Sequence, residues 1–320
     1  MPKKASPLQD LSWRLEAVGY DVLRVVLRLL PMDAASAFGG WLLRTLGPLS
    51  PNHQVARANL GFAFPDMSEA DKTALLPRIW DNVGRTFAEF VLMDRITPEA
   101  GRVEIVGRER LDAIRESGKP VIFVSGHFAN WEVMMVALFS AGIAAHVAYR
   151  PTNNPYVNDR IVQGRARYGI TLLSPKGKGG RDLMLSLRRG TSLAILIDQK
   201  DSRGVVVPFF GKPAPTMPGA ARMALHYGLE VQPLKVERLD GARFRMTVGD
   251  PIVLEKTGDN DRDIETGTRR INTFLEGVIR DRPEGWFWVH RRWRREDYPG
   301  GDTKKRKRPR RNLAAAEPEA

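Results

Sequence analysis

From residue 103 onward, short apolar runs alternate with longer amphipathic stretches, and that alternation predicts the central architecture. Residues 103–106, 121–124, 144–149, 171–173 and 193–197 read as strands, and 108–117, 131–140, 158–167 and 182–189 as the helices between them. Strands separated by helices of about ten residues indicate an α/β fold, a mostly parallel central sheet flanked by helices on both faces. Residues 231–236 and 244–248 look like later strands around a turn at Asp240 and Gly241, and 262–280 like a last long helix.

Ahead of this region the pattern has a helical period. At about 100° per residue, positions 14–30 place Arg14, Asp21, Arg24 and Arg28 in one narrow stripe. Leu15, Val18, Val22, Leu23, Val25, Val26, Leu29 and Leu30 cover the remaining arc, with Glu16 intruding. A membrane-spanning helix needs about 20 largely uncharged residues; neither this segment nor the apolar stretch 34–43 with Trp41 supplies them. Two readings stay open. The first helix either packs on the protein's own core, or lies with its neighbour in the headgroup layer of a membrane, arginines against anionic lipid. Residues 68–71 resemble a capping box that starts a helix running to residue 93, interrupted at Pro77. The chain thus divides into amphipathic, membrane-associating helices at 1–50, a catalytic-sized domain at 51–300 and a disordered tail at 301–320. The basic run 304–311 in that tail has nothing to bury.

Composition narrows the chemistry. A formal net charge of +13 over 320 residues calls for an anionic partner. The absence of cysteine removes thiolate nucleophiles, disulfides and thiolate metal sites. No cleavable signal pattern is visible at the start. There is no Gly-x-Ser-x-Gly elbow for a serine esterase, and the glycine-rich stretch 175–180 does not fit a phosphate-binding loop. Asp198 and Asp201 in one loop are too little for a metal site, so none is expected.

The strongest chemical candidate is His127, delivered by the apolar run 121–124 and Gly126 to the carboxyl end of a strand, where open α/β sheets bind ligands. Glu132 lies five residues on and can meet it only if His127 is in the loop and Glu132 in the first helical turn. Asp198 follows another strand and should emerge at the same sheet end. Arg150, ending a strand, suits phosphate or a developing oxyanion. Phe209 and Phe210 either plug the core or line an apolar pocket, and residues 286–295 mix aromatics with arginines that suit nucleic acid or a membrane interface.

Together the landmarks are more specific than any one of them. Arg57, Asn59, Phe64 and Pro65, then Gly126-His127 with Glu132, Tyr149-Arg150 with Asn154-Pro155, Asp198-Gln199, residues 208–211 with Thr216, and residues 288–292 occur in that order. The series resembles the lipid A biosynthesis acyltransferases, the lauroyl/myristoyl branch of the lysophospholipid acyltransferase superfamily, from about residue 10 to 298. The resemblance implies a glycerolipid-acyltransferase-like fold at the cytoplasmic face of a bacterial inner membrane. It implies transfer of a fatty acyl chain from an acyl carrier protein thioester, with no further cofactor, to a hydroxyl of a lipid A precursor, usually one bearing Kdo sugars. By that resemblance His127 is the base, Glu132 orients it, and Arg150 binds substrate. Asn154, Asp198, Phe209, Phe210, Gly211 and Thr216 are the further substrate-binding candidates. The expected partners are acyl carrier protein, the lipid A precursor and the anionic leaflet, rather than nucleic acid. An acyltransferase acting on another membrane glycolipid or lysophospholipid is the alternative.

Overall fold

The computed structural model describes residues 6–149, 151–168, 171–173 and 179–301. Arg150, the run 304–311 and most of the glycine-rich stretch 175–180 lie outside the described residues. The helices are α1 (Pro7–Leu29), α2 (Met32–Leu46), α3 (Asn52–Ala63), α4 (Glu69–Glu89), α5 (Arg108–Ser117), α6 (Val133–Ser140), α7 (Pro155–Ala166), α8 (Gly179–Arg188), α9 (Gly219–Tyr227) and α10 (Asn260–Asp281). The strands are β1 (Val103–Val106), β2 (Ile122–Ser125), β3 (Ala145–Ala148), β4 (Thr171–Leu173), β5 (Ser192–Leu196), β6 (Lys200–Phe209), β7 (Lys212–Thr216), β8 (Val231–Arg238) and β9 (Phe244–Val248).

The main sheet has the order β1-β9-β8-β2-β5-β3-β4. Every pairing in it is parallel except β8 with β9. The α/β expectation therefore holds. β2 is buried along its whole length, as a parallel strand covered on both faces must be. α6, which packs on the sheet at β1, β3, β8 and β9, buries every residue from Val133 to Leu138 and has no polar face. Gly118 ends α5 in the left-handed conformation, φ 62°.

Two elements differ from expectation. Residues 200–216, where the pattern predicts no strand, form an antiparallel two-stranded ribbon, with Phe209 opposite Lys212. Phe210 and Gly211 make its two-residue turn, φ 50° and 74°, the geometry of a type I′ turn. α4 runs without a break through Pro77, capped by Ser68, whose Oγ accepts from the Asp71 amide at 3.0 Å.

The amino-terminal helix packs the opposite way from the usual amphipathic helix. Its polar stripe faces the protein. Arg28 makes a two-pronged pair with Asp94 at 2.7 and 2.8 Å. Asp21 holds Arg160 of α7, and Asn154 donates to the Trp13 carbonyl and the Glu16 carboxylate, both at 2.9 Å. Among α1 residues only Ala17 and Leu27 are buried; Leu8, Leu15, Val18, Val22, Val25 and Leu29 point outward, Leu29 80% exposed. Phe38 and Trp41 of α2 are exposed as well. Of the arginines in this stripe, Arg28 is held by Asp94, Arg14 pairs with Asp10 within the same helix and stays largely exposed, and the apolar arc faces outward rather than onto the core. No helix among the described residues is long and apolar enough to cross a membrane.

Candidate active site

β2 and β5 are neighbours in register, Ser125 beside Leu196. Two residues beyond those paired ends stand His127 and Asp198, so strand pairing alone brings them together. His127 Nδ1 lies 2.7 Å from Asp198 Oδ1, and the His127 amide donates to Asp198 Oδ2 at 2.8 Å. The indole N–H of Trp286 donates to the same Oδ2 at 2.7 Å. Asp198 is fully buried; burial opposes its ionisation, but the His127 imidazole and its hydrogen bonds outweigh that and hold the carboxyl well below the ordinary carboxylate range. A permanently ionised acceptor fixes the proton on Nδ1 and leaves the Nε2 lone pair open. Nε2 faces the amide nitrogen of Gln199 at 3.4 Å, on an exposed residue.

The loop carrying His127 is strained and clamped. A Cβ on Gly126 would stand 2.7 Å from the Phe128 ring, so only glycine fits. Ala129 is held at φ 45°, a conformation that costs on the order of 1–3 kcal/mol and persists only where its surroundings dictate it. Here they do. Its amide donates to the Gly285 carbonyl at 2.7 Å, and its carbonyl accepts from the Thr86 hydroxyl at 2.8 Å. The His127 carbonyl accepts from the Phe287 amide at 3.1 Å. Trp131 stands edge-on to the imidazole at 4.7 Å and Phe287 at 6.1 Å, and Phe87 and Phe90 extend this aromatic collar outward.

Glu132 is not the imidazole's partner. Its buried carboxylate is taken by Arg165 of α7, Nε to Oε2 at 2.9 Å, and by the Tyr168 hydroxyl at 3.2 Å. Burial opposes the Arg165 charge, but Glu132 more than compensates and raises its pKa. The expectation that Glu132 orients His127 is therefore corrected: five residues along the chain place it on the far side of the turn, and Asp198 supplies the carboxylate. Asp198, expected among the substrate-binding residues, is instead fully buried, and its carboxylate is taken up by the imidazole and amide of His127 and the Trp286 indole.

Other candidates also have structural places. Asn154 caps α7, accepting from the Tyr156 and Val157 amides, and fastens α1. Phe209 is fully buried against Trp286 and Trp293, Phe210 packs on Phe64, and Gly211 makes the ribbon turn. Thr216 is buried and accepts from Arg292 at 2.7 Å. These four build the core and the ribbon, not an open pocket wall. Arg150 lies outside the described residues.

The sequence reading missed Trp286, Gln199 and His290. Trp286 holds Asp198; His290 Nδ1 bonds the Phe287 carbonyl at 2.6 Å, and burial pushes its pKa down to about 4. Trp286 and His290 lie in the aromatic-basic run 286–295, whose chemistry was read as that of a surface, and Gln199 stands next to Asp198 in a landmark used only for the resemblance.

A family model described as bacterial lipid A biosynthesis acyltransferase matches residues 8–295. The chain is 25% identical over 304 residues to the lipid A biosynthesis lauroyltransferase of Escherichia coli strain K12, covering 92% of this chain and 96% of the relative. It is 26% identical to a lipid A biosynthesis acyltransferase of Haemophilus influenzae, over 92% of this chain and 93% of that one. To the lipid A biosynthesis myristoyltransferase of Escherichia coli it is 26% identical, over 73% of this chain and 72% of the relative.

Proposed function

Because the chain belongs to the bacterial lipid A biosynthesis acyltransferases and is an O-acyltransferase, we propose that it moves a fatty acyl chain from an acyl carrier protein thioester to a hydroxyl of a Kdo-bearing lipid A precursor. The observation that carries this reading is the His127–Asp198 pair, with Nε2 open at the carboxyl end of a parallel sheet beside an aromatic collar.

The acceptor hydroxyl approaches Nε2. As its oxygen attacks the thioester carbonyl, His127 takes the proton, and Asp198 stabilises the imidazolium without itself becoming protonated, as in hydrolase triads. The tetrahedral intermediate collapses with loss of the carrier's thiolate, which the imidazolium reprotonates. The Gln199 amide, already facing Nε2, is positioned to donate to the developing oxyanion. No acyl-enzyme forms. The apolar face of α1, with Phe38 and Trp41 of α2, enters the surface of the anionic cytoplasmic leaflet of the inner membrane, where both substrates are presented.

Purified protein given a carrier-bound acyl chain and a Kdo-bearing phosphorylated glycolipid should yield glycolipid heavier by one acyl chain. An unchanged glycolipid mass, with lipid A from a deletion strain also unchanged, would refute the acceptor and leave another membrane lipid in its place.

A further inference from the structure

Behind the catalytic loop, on the β8 side, lies a cavity of about 450 Å³ whose floor includes Phe128, Ala129 and Gly285. It opens at the same sheet end as His127, because β8 runs parallel to β2. Its wall gathers cations from separate elements: Arg44 of α2, Arg78 and Arg85 of α4, Lys235 and Arg238 of β8, and Arg282 just past α10. We propose that this cavity binds a phosphate-bearing anion, and that in the reaction it receives a phosphate group of the acceptor glycolipid. The second part rests on the acceptor being a phosphorylated glycolipid.

The charge balance carries the first part. Only Asp81, Glu237 and Glu284 face the same cavity as these six cations. Asp81 is shared between Arg85 and Arg44, and Glu237 between Lys235 and Arg282. Glu89 reaches Arg238 and Asp281 reaches Lys235 from outside the wall; with both counted, cations still exceed carboxylates. Arg44 approaches Asp81 only at 3.6 Å and, among the described residues, makes no side-chain hydrogen bond. The Arg44 and Arg282 side chains are 50% and 48% exposed, so their guanidinium groups are reachable from solvent. A phosphate accepts paired N–H donors from guanidinium forks and would sit between the half-exposed Arg282 and Arg44, whose cluster with Arg85 has only the Asp81 carboxylate. The volume falls within the range of small-ligand sites and has room for a phosphorylated sugar rather than an ion alone.

The location gives the site a consequence. Ala129 and Gly285, which form part of the floor, are joined by the hydrogen bond that holds the His127 loop in its strained conformation. A ligand seated there touches the back of the catalytic loop while the acceptor hydroxyl addresses its front.

The test uses the full-length protein and the Arg44→Gln/Arg282→Gln variant, with single Arg44→Glu as a second variant should the double one fold poorly. Calorimetric titration with glucose 1-phosphate, inorganic phosphate and glucose measures the site without requiring turnover. Binding of glucose 1-phosphate but not glucose, weakened at least tenfold in the variants, is the expected result. Transfer assays should then show an acceptor KM raised at least tenfold, with kcat within threefold, and no change for a dephosphorylated acceptor. If inorganic phosphate binds as tightly as glucose 1-phosphate and the acceptor KM does not move, the cavity is a site for free phosphate and the acceptor assignment is overturned. Equal binding of glucose and its phosphate, or equal binding by wild type and variants, overturns the site altogether. Should glucose 1-phosphate bind as expected while no phosphorylated glycolipid is acylated, the site stands and the acceptor reading fails.

Discussion

Asp198→Asn isolates the charge of the catalytic pair at nearly constant shape. Two donors, the His127 amide and the Trp286 indole, both point at Oδ2. The amide of an asparagine there must therefore place its oxygen at the Oδ2 position and its NH₂ toward His127 Nδ1. Facing a donor, Nδ1 becomes the acceptor, the proton moves to Nε2, and the atom that should take the substrate's proton is occupied. Loss of a unit charge about 4 Å from the imidazolium centre removes about 4 kcal/mol at an effective dielectric of about 20, on the order of a thousandfold in rate. The wrong tautomer adds to this, as it does in hydrolase triads, where the equivalent change costs about 10⁴. Single-turnover acyl transfer from the carrier thioester measures the loss, and ¹⁵N chemical shifts of the His127 ring report the tautomer directly. Activity within tenfold of wild type, with the proton still on Nδ1, would refute the reasoning.

Glu132→Gln leaves Arg165 buried without its counter-charge and should cost roughly 3–5 kcal/mol of stability, read by denaturant unfolding; a variant of unchanged stability that still loses transfer would put this carboxylate in the chemistry instead. Trp286→Phe removes one charge-assisted hydrogen bond from Asp198, worth about 1.5–3 kcal/mol, and should lower kcat ten- to a hundredfold with little change in KM; an unaltered kcat contradicts the positioning role. His290 is buried neutral, its pKa pushed from 6.5 down to about 4, so the unfolded chain binds a proton the native state refuses and stability falls as pH drops from about 6.5 to 4. Up to roughly 3 kcal/mol of that fall should vanish in His290→Gln, and parallel stability–pH curves for the two proteins would show that His290 is not its source. Val22→Asp with Val25→Asp should weaken flotation with anionic vesicles on the order of a hundredfold, from roughly 3 kcal/mol of lost apolar burial; unchanged flotation after a high-salt wash would place the contact elsewhere.

The strands and the loop position of His127 were legible because buried parallel strands are continuous apolar runs and Gly126 marks the exit. The identity of its partner was not. Asp198 is far away along the chain and comes alongside only through the register of β2 with β5, which no local pattern encodes. Glu132 misled because closeness in sequence was taken for closeness in space. The ribbon of β6 and β7 was hidden by Pro208, Pro213 and Pro215, residues that argue against a central strand but are tolerated in an isolated pair, and by a turn that uses Phe210 at positive φ. The periodicity of α1 was correctly read, yet periodicity says only that a helix has two faces, not which one the fold keeps for itself.

That inversion makes α1 a keel. Asp21 and Asn154 fasten it to α7 at Arg160 and the helix cap, and the other end of α7 carries Arg165 to Glu132, directly beside the turn that presents His127. If the bare side of the keel sits in lipid, the imidazole rides at a set height above the bilayer, unable to bob independently of its hull. Selection among acceptor hydroxyls then becomes partly a matter of elevation: the one protruding to that height is acylated, and its neighbours a few ångströms higher or lower are passed over.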